Sequence, residues 1–184
     1  LFLHNLLNLY YYHYYQFGDF LKSDYEIKSF KNKENPIHLE LGCGKGNFIS
    51  KLAVQNPDIN YLAIDIKSEV LGLAKRNVEK EYLEAKRDID NVLLTAYEIL
   101  IIQNILNKKD KVERIYINFC NPWPKPKHNK RRLTYPTLLE KYKVFLKPQG
   151  EIHFKTDNRG LFEFSLESMN NYGMTLSRIS LDLH

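Results

Sequence analysis

Three stretches of the chain carry residue types that could do chemistry. In Glu40-Leu41-Gly42-Cys43-Gly44-Lys45-Gly46 an acid stands just ahead of three alternate glycines. Glycine permits a tight turn and lets a ligand lie against bare backbone. The spacing G-x-G-x-G lacks the last glycine of the dinucleotide fingerprint G-x-G-x-x-G, which argues against a pyrophosphate seated on a helix N-terminus. The acid at Glu40 suits a cationic ligand better than a phosphate, and S-adenosylmethionine, with its ammonium and sulfonium, fits that requirement. Asp65 lies nineteen positions after Gly46, where an acid in a nucleotide-binding fold accepts hydrogen bonds from ribose hydroxyls and repels a 2′-phosphate. Its competing role is to cap the helix that follows.

The second stretch is Asn118-Phe119-Cys120-Asn121-Pro122-Trp123-Pro124-Lys125-Pro126-Lys127-His128-Asn129-Lys130-Arg131-Arg132. Three prolines and a tryptophan stiffen it. Five basic residues follow within eight positions: Lys125, Lys127, Lys130, Arg131 and Arg132. A charge run by itself is usually a solvated face, but on a proline-ordered loop beside a ligand site it is suited to gripping phosphates. The third stretch is Ile152-His153-Phe154-Lys155-Thr156-Asp157-Asn158-Arg159-Gly160, whose last four residues also read as an Asx-turn.

The elements that must position these residues alternate strand and helix. Apolar runs ended by turn residues predict buried strands at Ile37–Leu41, Tyr61–Asp65, Val92–Leu94, Arg114–Phe119 and Glu151–Lys155, and a sixth strand at Thr175–Leu181. Helical spacing predicts helices over Asn47–Gln55, Ser68–Glu84, Ile99–Leu106, Leu138–Leu146 and Leu161–Asn171. Ser68 is the expected N-cap of the second, with Val70, Leu71, Ala74 and Val78 facing inward, and Pro148-Gln149-Gly150 the expected stop of the fourth. This order implies an α/β fold of the Rossmann-like kind: a mostly parallel central sheet with helices on both faces. Ligands then bind at the carboxyl ends of the strands, where Glu40, Asp65 and Asn121 fall.

The 184 residues, 43% apolar, suffice for one domain with a real core. A net charge of +5 points only weakly to an anionic partner. Cys43 and Cys120 are too few and too far apart for a disulfide framework or a zinc knuckle, and a reducing cytoplasm is the default. No apolar run is long enough to span a bilayer. Residues 1–35 are expected to form an N-terminal arm and turn, and residues 36–184 the catalytic domain. Tyr10, Tyr11, Tyr12, Tyr14 and Tyr15 in that arm are read as an aromatic side packing on the domain rather than stacking on RNA. A signal peptide would need a basic start, which is absent. Position 1 is Leu, so the chain is expected to be a piece of a longer gene product.

From about Pro36 onward the chain resembles the bacterial tRNA (guanine-N7)-methyltransferase family, class I S-adenosylmethionine-dependent enzymes. The loop Phe119–Leu133 and the stretch Ile152–Gly160 carry the likeness. The resemblance implies methyl transfer from S-adenosylmethionine to N7 of a guanine in the tRNA variable loop, leaving S-adenosylhomocysteine, with no metal and in the cytoplasm. It implies cofactor contacts from Glu40, Asp65 and Asn121, joined by the glycines Gly42, Gly44 and Gly46, and tRNA contacts from Lys125 and Asp157, joined by Lys127, Lys130, Arg131 and Arg132. The chain departs from the family in having Asn121 for the usual Asp and Tyr97-Glu98 for an Asp-Ala pair near the adenine, so Glu98 is expected to substitute. A further Thr-containing acidic motif and a closing strand of the family would lie beyond His184.

Guanine N7 offers an in-plane lone pair and no proton, so attack on a sulfonium methyl requires no general base. Alignment and exclusion of water suffice, and Asn121, the candidate catalytic residue, is expected to act by orientation and by accepting hydrogen bonds. Asp157 could accept the paired donors on the N1–H and amino edge of guanine. Two other readings stand beside this one. An amino-methyltransferase acting on adenine N6 or a glutamine amide resembles the chain at Asn121-Pro122-Trp123-Pro124, but has proline where Trp123 stands. A non-catalytic RNA-binding protein on a methyltransferase fold would not need the glycine loop with Glu40 and Asp65. Monomer and homodimer remain equally compatible with the sequence.

Overall fold

In the computed structural model, which describes residues 30–181, the chain runs β1 (Ile37–Leu41), α1 (Asn47–Gln55), β2 (Asn60–Asp65), α2 (Ser68–Glu84) and β3 (Val92–Ala96). It continues through β4 (Val112–Asn118), α3 (Pro136–Phe145), β5 (Leu146–Lys155) and α4 (Arg159–Asn171). Short 3-10 helices at Ile99–Asn104 and Pro126–Arg131 flank β4. The strands form one sheet of order β3-β2-β1-β4-β5, every neighbouring pair parallel. Sequential strands step outward from β1 to β3 and the chain then crosses back to β4, so the order reverses between β1 and β4. Ligand crevices of open parallel sheets lie at such a reversal, outside the carboxyl ends of the strands.

Central strands buried on both faces explain why β1 and β2 read as near-continuous apolar runs. One face packs Ile49, Ala53, Tyr61, Ala63, Ala74, Val78, Tyr82 and Val92 under α1 and α2. The other packs Leu39, Leu41, Leu62, Ile64, Ile115, Ile117, Leu138, Tyr142 and Phe145 under α3 and the 3-10 helix after β3. The expected α/β architecture with helices on both faces is therefore the observed one. Among the described residues no helix is long and apolar enough to cross a membrane.

Several local expectations differ from the structure for identifiable reasons. Ser68 lies inside α2. The cap position is Lys67, whose N–H donates to Asp65 Oδ1 at 3.0 Å, so an acid two residues upstream ends the strand and starts the helix. The stretch from Ile99 is a kinked 3-10 helix in place of an α-helix. Its buried residues Ile99 and Ile102, with Ile105 beyond, recur every three positions, the 3-10 period. α3 stops at Phe145, and β5 begins at once with Leu146. The Pro148-Gln149-Gly150 signal marks an irregularity within that strand, where Val112 pairs with Leu146 but Arg114 with Glu151. Gln149 there has φ 65°, and β5 is an edge strand, the place where proline is tolerated. Thr175–Leu181 forms no strand. These residues join none of the described strands of the sheet, and Ile179 and Leu181 are exposed.

The tyrosines of the N-terminal stretch lie outside the described residues. The turn at Lys31–Asn35 is tied to the domain: Phe30 is buried in the core and Lys31 N–H donates to Asp90 O at 3.0 Å.

Candidate active site

Glu40 is the penultimate residue of β1 and only 2% exposed. Its Oε1 accepts from Asn118 Nδ2 of β4 at 3.3 Å, across the sheet reversal, while its Oε2, buried, meets no hydrogen-bond partner among the described residues. Burial pushes the Glu40 carboxyl up to about 7, with the Asn118 bond opposing and the Asp65 charge adding to that shift. An isolated buried carboxylate is costly unless a cation meets it. The orphaned oxygen is a place for such a cation.

The glycine corner follows. Gly42, Gly44 and Gly46 all have φ between 53° and 75°, in the left-handed region. A Cβ at Gly44 would meet nothing within 4 Å, so that stretch of backbone faces open space, whereas at Gly46 it would sit 2.8 Å from the Cβ of Ala74. Gly46 is thus required by the approach of α1 to α2 as well as by its conformation. Asp65, at the end of β2, closes the corner by accepting from Gly44 N–H at 2.9 Å through Oδ2 and from Lys67 N–H through Oδ1. A carboxylate has about four acceptor sites, so both oxygens keep capacity for a ligand. Asp65 is thus both helix starter and candidate ligand acceptor.

Sequence reading missed three neighbours. Asn118 holds Glu40. Asn77, on α2, clamps the corner by donating to Lys45 O at 2.8 Å and Asn47 Oδ1 at 2.7 Å. Ile66 follows Asp65 with its apolar side chain 58% exposed. Asn118 stands beside Asn121 in sequence and could have been noticed. Asn77 is thirty residues from the loop it clamps and carries no local signal.

The other expected residues lie at the same end of the sheet. Glu98 follows β3, and its Oε1 accepts from Leu100 N–H at 3.1 Å, capping the 3-10 helix. Asn121 is exposed, and its Oδ1 accepts from Trp123 N–H at 3.2 Å, which folds Asn121-Pro122-Trp123 into a turn. Phe119 and Trp123 on either side have φ of 50° and 44°. Arg132 works within the loop: Nε and Nη2 donate to Pro122 O at 3.1 Å and Trp123 O at 3.3 Å, and the guanidinium lies 4.4 Å from the Phe164 ring centroid. Arg131 lies over the Trp123 ring at 5.0 Å. Lys125, Lys127, Lys130 and Arg131 are exposed. Asp157 is exposed just past β5. The adjoining turn is made by Asn158, which accepts from Leu161 N–H at 2.8 Å and caps α4, rather than by Asp157.

A family model described as "Putative methyltransferase" matches residues 34–182. The tRNA (guanine-N(7)-)-methyltransferase of Clostridium beijerinckii is 61% identical over 157 residues, 85% of this chain and 72% of that protein. The enzyme of the same name from Clostridium perfringens strain SM101 is 58% identical over 156 residues, covering 85% and 71%. Among solved structures, a precorrin-6y C5,15-methyltransferase from Geobacter metallireducens superposes with a TM-score of 0.57 at 15% identity, over 76% of this chain and 62% of that one. An antibiotic-related methyltransferase gives 0.57 at 20% identity over 79% and 71%. These two share the fold. With the family model spanning most of the domain and relatives this similar over this much of their length, the chain belongs to the tRNA (guanine-N(7)-)-methyltransferase family.

Proposed function

We propose that this chain transfers the methyl group of S-adenosylmethionine to N7 of a guanine in the variable loop of tRNA, in the cytoplasm. The observation that carries the reading is the acid-lined glycine corner at the sheet reversal, set at the same end of the sheet as an ordered, basic loop. The residues present fit the cofactor. Glu40 Oε2 is a buried acceptor without a partner, suited to the ammonium. Asp65 keeps acceptor sites for ribose hydroxyls, and Ile66 beside it offers an apolar surface to the base. Glu98 is engaged in its cap but stands at the end of β3, where it can flank the adenine.

When bound, S-adenosylmethionine supplies an electrophilic methyl carbon on its sulfonium. Guanine N7 needs no deprotonation, so the chain's task is alignment and exclusion of water. Asn121 fixes the turn at the loop tip. Lys125, Lys127, Lys130 and Arg131 hold phosphates, and Asp157, its carboxylate unengaged among the described residues, accepts from the N1–H and amino edge of the guanine. In an amino-methyltransferase the Asn121 oxygen would accept from the substrate amino group; here it accepts from Trp123 N–H and keeps a second acceptor site, so the methylated product, not this bond, separates the two readings.

Nucleoside analysis of tRNA incubated with the protein and labelled cofactor tests the reading. The expected product is 7-methylguanosine in the variable loop. Label recovered instead in N6-methyladenosine, or in protein glutamine, would replace it with the amino-methyltransferase reading.

A further inference from the structure

Phe119, the residue after β4, combines three features that folding alone does not reward. Its φ of 50° is a left-handed conformation, unfavourable for any residue with a Cβ. The residue is 55% exposed. The next residue, Cys120, turns inward and packs against the core, so an inward-facing side chain is available one position away. The backbone is nevertheless held in place, because Phe119 N–H donates to the carbonyl of Lys155, the last residue of β5, at 2.8 Å. Lys155 Nζ also lies over the Phe119 ring, 5.7 Å from its centroid.

The ring therefore stands at the carboxyl ends of β4 and β5. On one side Asn118 reaches Glu40, and on the other the chain runs from Lys155 to Asp157. Trp123, the more obvious aromatic, is closed into its own loop. Arg131 lies over its ring at 5.0 Å, as Lys155 lies over Phe119, but His128 also meets the Trp123 ring edge-on at 5.6 Å and Trp123 is only half-buried where Phe119 is exposed. We infer that Phe119 is the stacking surface for the guanine that is methylated, placing the base face-on while Asp157 takes its edge. This inference rests on the guanine-N7 reading and adds to it the residue that holds the plane of the base. Exposed aromatic rings at nucleic-acid sites stack on bases in this way, and strain held in a rigid frame is a mark of such sites.

The test uses Phe119→Leu, which keeps an apolar side chain without a π-face, and Phe119→Trp, which restores one. Steady-state and single-turnover methylation of tRNA are measured beside calorimetric binding of S-adenosylhomocysteine. Phe119→Leu should lose about tenfold to a hundredfold in kcat/KM for tRNA, with cofactor-product affinity held within about twofold, and Phe119→Trp should recover most of the loss. The inference is overturned if Phe119→Leu is as active as wild type, if affinity for S-adenosylhomocysteine falls in step with activity, or if Phe119→Trp is no better than Phe119→Leu. Loss in Trp123→Leu without loss in Phe119→Leu would assign the stacking to Trp123 instead. Wild-type protein that binds S-adenosylhomocysteine but forms no 7-methylguanosine would sink the functional reading together with this inference. An active wild type with an indifferent Phe119→Leu would sink this inference alone.

Discussion

The glycine corner and the basic loop are built on opposite principles. The corner, from Glu40 to Gly46 with Asp65, belongs to the sheet: its acids are strand residues, Glu40 is buried, and α2 clamps the turn through Asn77. The loop from Phe119 to Arg132 leaves the sheet and supplies its own scaffold. Asn121 makes the turn, Arg132 ties carbonyls of Pro122 and Trp123, and prolines limit the backbone. A small ligand with fixed charges needs the first kind of site, preorganised by the fold. A polyanion needs the second, with cations left in water on a shaped loop. Residues doing the same nominal job therefore differ in what their loss does.

Asp65→Ala should show the largest effect. It removes the proposed acceptor for the ribose together with the acceptor that closes the corner onto Gly44 and Lys67. Hydrogen bonds to a charged group contribute roughly 1.5–3 kcal/mol each, so S-adenosylmethionine affinity should fall on the order of a hundredfold by calorimetry. Wild-type affinity in this variant would place the cofactor elsewhere.

Next comes Asn121, in the turn at the start of the loop. Asn121→Ala loses the acceptor for Trp123 N–H and should slow single-turnover methylation by about tenfold at saturating cofactor. Asn121→Asp keeps an acceptor and adds a charge that favours the developing purine cation, so it should match or exceed wild type. A collapse of Asn121→Asp to the level of Asn121→Ala, with cofactor still bound, would favour amino-group chemistry.

Glu40→Gln separates binding from folding. The unfolded chain ionises this group near 4.5 and the folded, ligand-free chain near 7. Between those values the folded state keeps a proton that the unfolded state has lost, so the Glu40 contribution to stability falls as pH rises from about 4.5 to about 7. The difference is on the order of 3 kcal/mol. Glu40→Gln should therefore raise the melting temperature at pH 8 by several degrees, and much less at pH 5, while weakening the cofactor about tenfold. Wild-type affinity should climb with pH across that range as the carboxylate ionises. A variant that melts lower than wild type at pH 8 would mean the carboxylate has a partner in the ligand-free protein.

The smallest effects belong to the loop cations. Replacing Lys127, Lys130 and Arg131 with Ala should reduce the slope of log K for tRNA against log salt by roughly 0.7–0.9 for each phosphate that is no longer neutralised. Arg132→Ala should mainly destabilise the loop, by about 1–2 kcal/mol, because its donors serve Pro122 and Trp123. Equal changes of slope from Arg132 and from the exposed cations would erase the distinction between scaffold and phosphate grip.

The sequence by itself determined the parts that rest on local pattern. Apolar runs ended by glycine or acid placed β1 and β2 with their site residues at the carboxyl ends, because side-chain burial and strand termination are local decisions. The glycine spacing and the Asn-Pro-Trp-Pro-basic stretch likewise named the corner and the loop. What only the tertiary structure decided depends on atoms far apart in the chain. Asn118 reaching Glu40, Asn77 reaching the corner and Arg132 folding back on Pro122 follow from how the strands and helices are brought together. β5 runs through Pro148-Gln149-Gly150 because, among the described strands, it pairs with β4 alone and an edge tolerates the break, while Thr175–Leu181 joins no strand of the sheet. A strand exists only in a pairing, and pairing partners are chosen by the whole fold. The exposure of Phe119 belongs to the same class: its aromatic type reads as core, yet it stands exposed with φ 50° and its N–H bonded to the end of β5, a strand distant in the chain.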